Sequence, residues 1–239
     1  MNNYLDYLTV YEHKNKKRLG ICSDGGYVIG LLDEQNNNYD CYISAGVSNE
    51  ESFSRDFINM FKMNKYNSYA FDGTIENYPW HYTNDITFIP KNINTFKDNN
   101  NADLSFCITK FDNIFLKMDI EGCEYPWLLS LENSKLEKFK QIVLEFHGIN
   151  DDSWNTIHSD KIKCLKKLNQ THFVIHIHGN NCGDLTDNIP NTVEVTYLRK
   201  DLFDSEPKLN TEPLPIQNID FSNSENKEDF DLNFKPFVN

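Results

Sequence analysis

The chain has 239 residues, 39% of them hydrophobic and 13% aromatic, enough to bury a sizeable core in a single domain. Its 36 acidic and 23 basic side chains leave a formal charge of -13, which argues against a nucleic-acid or anionic-membrane surface, since phosphate binding relies on Lys and Arg. No stretch approaches the roughly 18 apolar residues of a spanning helix, and the N-terminal MNNYLDYLTVYEHKNKK lacks the apolar centre of a signal peptide. Six cysteines without a CxxC pair (Cys22, Cys41, Cys107, Cys123, Cys164 and Cys182) read as reduced thiols, so a cytoplasmic location is expected.

In chain order, short apolar runs alternate with amphipathic ones. DCYISAG (Asp40 to Gly46) predicts a buried strand, and ESFSRDFINMF a helix with Phe53, Phe57, Met60 and Phe61 on one face, capped by the preceding Ser and Asn residues. NSYAFD, ITFIP and IFLKMD predict three further strands, and WLLSLENSKLEKF a helix opened by Pro126. QIVLEF, the helix DKIKCLKKL, and the strands HFVIHIH and VEVTYLR complete the pattern. Alternation of this kind implies a doubly wound α/β fold: a mostly parallel seven-stranded sheet covered on both faces, closed by a reversed hairpin at one edge. Basic residues cluster at Lys14, Lys16, Lys17, Arg18 and at Lys161, Lys163, Lys166, Lys167; the second set reads as a solvated helix face.

Ligands of such sheets bind beyond the carboxyl ends of the strands, where this chain places its polar chemistry. Gly46 and the turn after it precede a helix N-terminus, Asp72 ends the second main strand, Asp119 the fourth, and Glu145 and His147 the fifth. Glu145 and His147 share a face by the period-two rule, so Asp119, Glu145 and His147 are expected to converge. Two carboxylates and an imidazole suit a hard divalent cation such as Mn²⁺ or Mg²⁺. His176 and His178 share a face of the later strand, which suits either metal ligation or an edge-strand role. Glu124, just before Pro126 and Trp127, favours the helix dipole, and Glu121 stays open between orienting a ligand and satisfying the turn at Gly122.

LKMDIEGCEYPWL resembles the KxDxEGxE signature of the FkbM-like family of S-adenosylmethionine-dependent methyltransferases. DGGYVI, YISAGVSNEESFSRDF, QIVLEFHGI and HIHGNN are similar to other blocks of that family, so the resemblance spans roughly residues 18 to 200. It implies a class I methyltransferase fold, Rossmann-like, with the cofactor's methionine end over Gly46 and its adenosine end toward Asp72. Gly25, Gly26, Tyr27, Ser44 and Asp119 complete the implied cofactor set, although Ser44 stands where an acidic residue is common and Ser48 where a second glycine is. The implied activity is O-methylation of a sugar hydroxyl, in a nucleotide-linked or glycan saccharide. Asp119, Glu145 and His147 would hold the metal, His147 would serve as ligand or base, and His178 would be a reserve base. A metal-independent small-molecule methyltransferase is the alternative enzyme. A non-catalytic carbohydrate- or cofactor-binding module is the alternative outside enzymes, and a homo-oligomer is compatible with either. Without GxGxxG, a dehydrogenase-type dinucleotide site is not expected. Residues 1–203 form the predicted domain; 204–239 form an acidic tail whose PLPIQNIDF and DLNFKPF predict partial packing against it.

Overall fold

The alternating pattern folds as one sheet in a computed structural model, which describes residues 4–239. An antiparallel hairpin comes first, β1 (Lys16–Leu19) and β2 (Tyr27–Gly30). Apart from two-residue strands, the chain continues as β3 (Cys41–Ala45), α1 (Ser52–Phe61), β4 (Ser68–Phe71), β5 (Thr87–Ile89), α2 (Ser105–Lys110) and β6 (Ile114–Met118). It ends its regular structure with α3 (Glu124–Ser130), α4 (Asn133–Leu136), β7 (Phe139–Phe146), α5 (His158–Thr171), β8 (His172–Gly179) and β9 (Val193–Arg199). The seven main strands are ordered β8-β9-β7-β6-β3-β4-β5. Strands β3 to β7 run parallel, and only β9 opposes its neighbours. The fold is thus the Rossmann-like, mostly parallel sheet expected, with the reversed strand slotted between β7 and β8.

Period-two alternation divides the core between the faces. Cys41, Ile43 and Ala45 of β3, with Ile114, Leu116 and Met118 of β6, join Tyr125, Leu128, Cys164 and Leu165 from α3 and α5. Tyr42 and Phe115 face the other way, onto Phe53 and Phe57 of α1 and onto Tyr27 and Ile29 of the hairpin. Phe57 lies at the centre of this aromatic group, its ring centroid 4.5 Å from Tyr42 and 4.2 Å from Phe115. The hairpin is fixed by side chains of the sheet. Gln141 of β7 accepts from Gly30 N at 2.7 Å and donates to Gly30 O at 3.0 Å, and Thr196 of β9 donates to Val28 O. These bonds carry Tyr27 over the sheet to the ends of β6 and β7.

Local departures from expectation have physical causes. The helix expected over WLLSLENSKLEKF breaks at Leu131, whose extended backbone separates α3 from α4. The break is held by Lys167, whose ammonium donates to the carbonyls of Leu128, Leu129 and Leu131 at the negative end of α3. Lys161 is fully buried and donates to Gly148 O and Ser153 O, pinning the loop after β7. Two of the four lysines read as a solvated face are therefore clamps. Helix α1 is not capped by Ser or Asn; Glu50 accepts from Ser52 N at 2.7 Å instead. Residues 204–239 contribute Leu214, Ile216, Leu232 and Phe237 to the larger core. No helix among the described residues is long and apolar enough to cross a membrane.

Candidate functional site

A cavity of about 450 Å³ opens at the carboxyl ends of β3, β4 and β6. Gly46, Val47 and Ser48 line one wall with Asp72 and Thr74; Asn92 and Ile93 follow β5; Asp24, Gly25, Tyr27, Asp119 and Glu121 line the other side. Gly46 has φ +82°, and a Cβ there would collide with the carbonyl oxygen of Asp119. Its need for glycine thus comes first from the neighbouring strand end, with Asp119 N donating to Ala45 O at 2.9 Å on the same crossing. Lys117, on the hairpin face of β6, donates to Gly46 O at 2.7 Å and sits over the Tyr27 ring. It secures the glycine turn from beneath.

Asp72 does more local work than its position at a strand end suggests. One carboxylate oxygen accepts from Val47 N and Ser48 N, the other from Thr74 N and Thr74 Oγ1. Burial opposes ionisation, but these donors outweigh it and hold the carboxyl below its ordinary range. Asp72 therefore shapes the loop while facing the cavity. Ser44 does not reach the cavity; its hydroxyl donates to Glu51 Oε1 at 2.9 Å, and Tyr78 donates to the other oxygen. Glu51 is itself buried and outside the lining, and burial pushes its pKa up. Gly26 lies outside the lining, packed against Ile21 O and the Arg18 guanidinium.

Beside the cavity, His147 sits among four carboxylates. Its Nε2 is 3.4 Å from Glu121, 3.6 Å from Glu145 and 4.0 Å from Asp119, and its Nδ1 is 3.7 Å from Glu124. Burial would lower the imidazole pKa, yet Glu124, Asp119 and Glu121 together raise it above its ordinary value. The Tyr27 hydroxyl stands 3.2 Å from both Asp119 Oδ2 and Glu145 Oε2, between the two carboxylates. Asn180 donates to the other oxygen of Glu145 at 2.8 Å. Burial, then the neighbouring Asp119 and Glu194, push the Glu145 pKa far up, so this carboxyl holds a proton more readily than the others. Trp154 packs against His147 with ring centroids 4.7 Å apart and the planes tilted by 53°, and is 44% exposed. It is held in a left-handed backbone (φ +55°) against Gly122.

The expected trio converges only in part. Asp119 and Glu145 both approach His147 Nε2, at 4.0 and 3.6 Å, but the sets whose ligand atoms all lie within 4.8 Å of one another are Asp119, Glu124 and His147, and Asp24, Glu145 and Glu194. Asp24, Glu124, Lys117 and Asn180 were not among the sequence candidates for this site. The KxDxEGxE run contained Lys117 and Glu124, but contacts from Asn180 and Asp24 span the chain. His178 is placed elsewhere: its Nδ1 meets Glu194 at 3.3 Å and its Nε2 meets Asp229 at 3.0 Å, while His176 meets Asp220 at 2.8 Å. Both histidines of HIHGNN bind carboxylates, two of them from the tail, which leaves His178 no free nitrogen for the cavity.

The His178 pairing has a pH signature. Burial lowers its pKa, but Asp229 and Glu194, with Asp220 nearby, raise it from 6.5 to about 10. A raised folded-state pKa contributes stability fully below the unfolded value and loses it as pH climbs through the folded one. Tm is expected to fall by about 5 °C or more from neutral pH to pH ~10, at ~2–4 °C per kcal/mol for a chain of this size. Asp229→Asn should flatten that fall in thermal scans; an equally steep profile would remove the pairing as its cause.

Compared with known families, residues 15–185 match the methyltransferase FkbM domain. No curated protein matches the chain.

Proposed function

The chain belongs to the FkbM methyltransferase family, and we propose that it transfers the methyl group of S-adenosylmethionine to a hydroxyl of a free or glycan-linked sugar. The observation that carries this reading is the grouping of Asp119 and Glu145 around His147, whose ring meets the half-exposed indole of Trp154, beside the cavity that Asp119 lines. A flat aromatic face next to carboxylates suits a saturated ring, whose C–H face packs on the indole while its hydroxyls donate to the acids.

The lining supports the donor as well. Asp24, Glu50, Asp72, Asp119 and Glu121 face the cavity against a single cationic side chain, Lys117, which is occupied by Gly46 O. S-adenosylmethionine brings a sulfonium whose methyl group is electrophilic, and an ammonium, both favoured by this negative field. A nucleotide-linked acceptor gains nothing here, because among the described residues no arginine and no second lysine lines the cavity to meet a diphosphate. An alkyl hydroxyl is not ionised near neutral pH, so a base or a cation must activate it. His147 is the group placed for either task, and Asp119 with Glu145 would orient the hydroxyl.

Calorimetry of the full chain with S-adenosylmethionine, followed by turnover on a panel of methyl glycosides, tests the proposal. Donor binding with methylation of at least one glycoside is expected. Trp154→Ala should then raise KM for that glycoside about tenfold, on the order of the ~1.5 kcal/mol of an aromatic contact, and leave donor affinity unchanged. Failure to bind the donor would defeat the reading, as would methylation confined to peptides or amines.

A further inference from the structure

We propose that Asp119, Glu124 and His147 form the seat of one divalent cation, with Glu124 rather than Glu145 as its third protein ligand. The proposed methyl transfer explains why an ion would be useful there, but the seat itself is argued from the side chains.

The three residues place their ligand atoms within 4.8 Å of one another. Proximity of acids alone would mean little, since solvated carboxylates are common. Glu124 is not solvated: it is fully buried, and while its Oε1 accepts from Ile120 N at 2.7 Å, its Oε2 has no hydrogen-bond partner. His147 is 6% exposed, and its Nδ1, the ring atom facing Glu124 at 3.7 Å, is likewise without a hydrogen bond. Two orphaned polar atoms on two members of one buried group are costly unless something satisfies both. A protonated imidazole supplies one positive charge against the carboxylates of Asp119, Glu121, Glu124 and Glu145, and at 3.7 Å it does not close the bond to Glu124. A divalent ion supplies two charges and accepts electron pairs from oxygen and nitrogen alike. Two carboxylates and one imidazole fit Mn²⁺ better than Mg²⁺ or Ca²⁺, which favour all-oxygen sets.

Glu145 is the weaker candidate on the same grounds. Its oxygens are already engaged, by Asn180 at 2.8 Å and by Tyr27 at 3.2 Å, so neither is left without a partner as Glu124 Oε2 is. Glu121 is 69% exposed along its side chain and lies outside the group whose ligand atoms are within 4.8 Å of one another, so it serves as the internal control.

The test titrates Mn²⁺ into the metal-stripped full chain with neither methyl donor nor sugar present, following free Mn²⁺ by electron paramagnetic resonance and Tm by thermal scan. One Mn²⁺ bound per chain with a rise in Tm is expected. Glu124→Gln, which retains an acceptor for Ile120 N, and His147→Gln should each weaken binding by at least ~10²-fold, while Glu121→Gln stays within a factor of about 3. If Glu124→Gln fails to fold, Glu145→Gln decides: affinity near that of the wild type is expected, and loss of Mn²⁺ binding overturns the seat. Absence of Mn²⁺ binding by the wild type, or wild-type affinity in Glu124→Gln, overturns the seat; loss of binding in Glu121→Gln also overturns it by making the exposed acid a ligand. Because no donor is present, these outcomes are independent of whether methyl transfer is the reaction.

Discussion

Asp119→Asn is expected to slow methyl transfer by at least ~10²-fold while changing the affinity for S-adenosylmethionine little. The backbone of Asp119 locks the crossing between β3 and β6, through its N–H on Ala45 and its carbonyl against Gly46, and asparagine preserves both roles. The side chain, 26% exposed to the cavity, accepts from Tyr27 at 3.2 Å and lies 4.0 Å from His147. Asparagine keeps its shape and removes its charge. The loss therefore falls on what the charge does: sustaining the raised proton affinity of His147 and, in the proposed seat, binding the ion. Single-turnover rates alongside donor calorimetry separate the two effects. An unimpaired rate would exclude Asp119 from the chemistry, and a collapse of donor binding with a normal rate at saturation would make it a binding residue instead.

Much of this arrangement could be read from residue order. The strand ends at Gly46, Asp72 and Asp119 are marked by apolar runs that stop at a glycine or a carboxylate, and strand direction then brings them to one edge of the sheet. What order cannot convey is which partner crosses the chain to meet each end. Tyr27 reaches Asp119 across 92 residues and Glu145 across 118, so its wedge between them had no local sign. Glu124 reads locally as a first-turn acid of α3, and its second relation, to His147, depends on how β6 and β7 pair. The period of HFVIHIH correctly puts His176 and His178 together, but it says nothing of what covers them. Asp220 and Asp229 arrive from a segment without periodicity, held in place by scattered apolar side chains such as Leu214, Ile216 and Phe237 and by hydrogen bonds from Asn181 to the carbonyls of Ser224 and Lys227.

That segment gives the second large expectation: Phe237→Ala should cost ~3–5 kcal/mol, as a core phenylalanine does, lowering Tm by roughly 6–20 °C at ~2–4 °C per kcal/mol. A mobile acidic tail would lose less than about 0.5 kcal/mol, so chemical denaturation distinguishes the alternatives without ambiguity. Phe237 is 1% exposed and Leu232 1% exposed within the same core that holds Leu144, Val174 and Val195 of the sheet. Point substitution is the sharper probe, because deleting residues 204–239 would also release the entropy spent in ordering them and blur the sign. The consequence extends to the site. Asn223, carried by this segment, donates to Asp24 at 3.1 Å and to Glu194 at 2.6 Å, and Asp24 lines the cavity. Loosening the anchor at Phe237 should free Asn223 from both acids, so activity at temperatures well below Tm should fall in Phe237→Ala through a higher KM for the methyl donor. A variant that is destabilised as expected yet keeps its KM would show that the tail supports the fold without shaping the cavity wall.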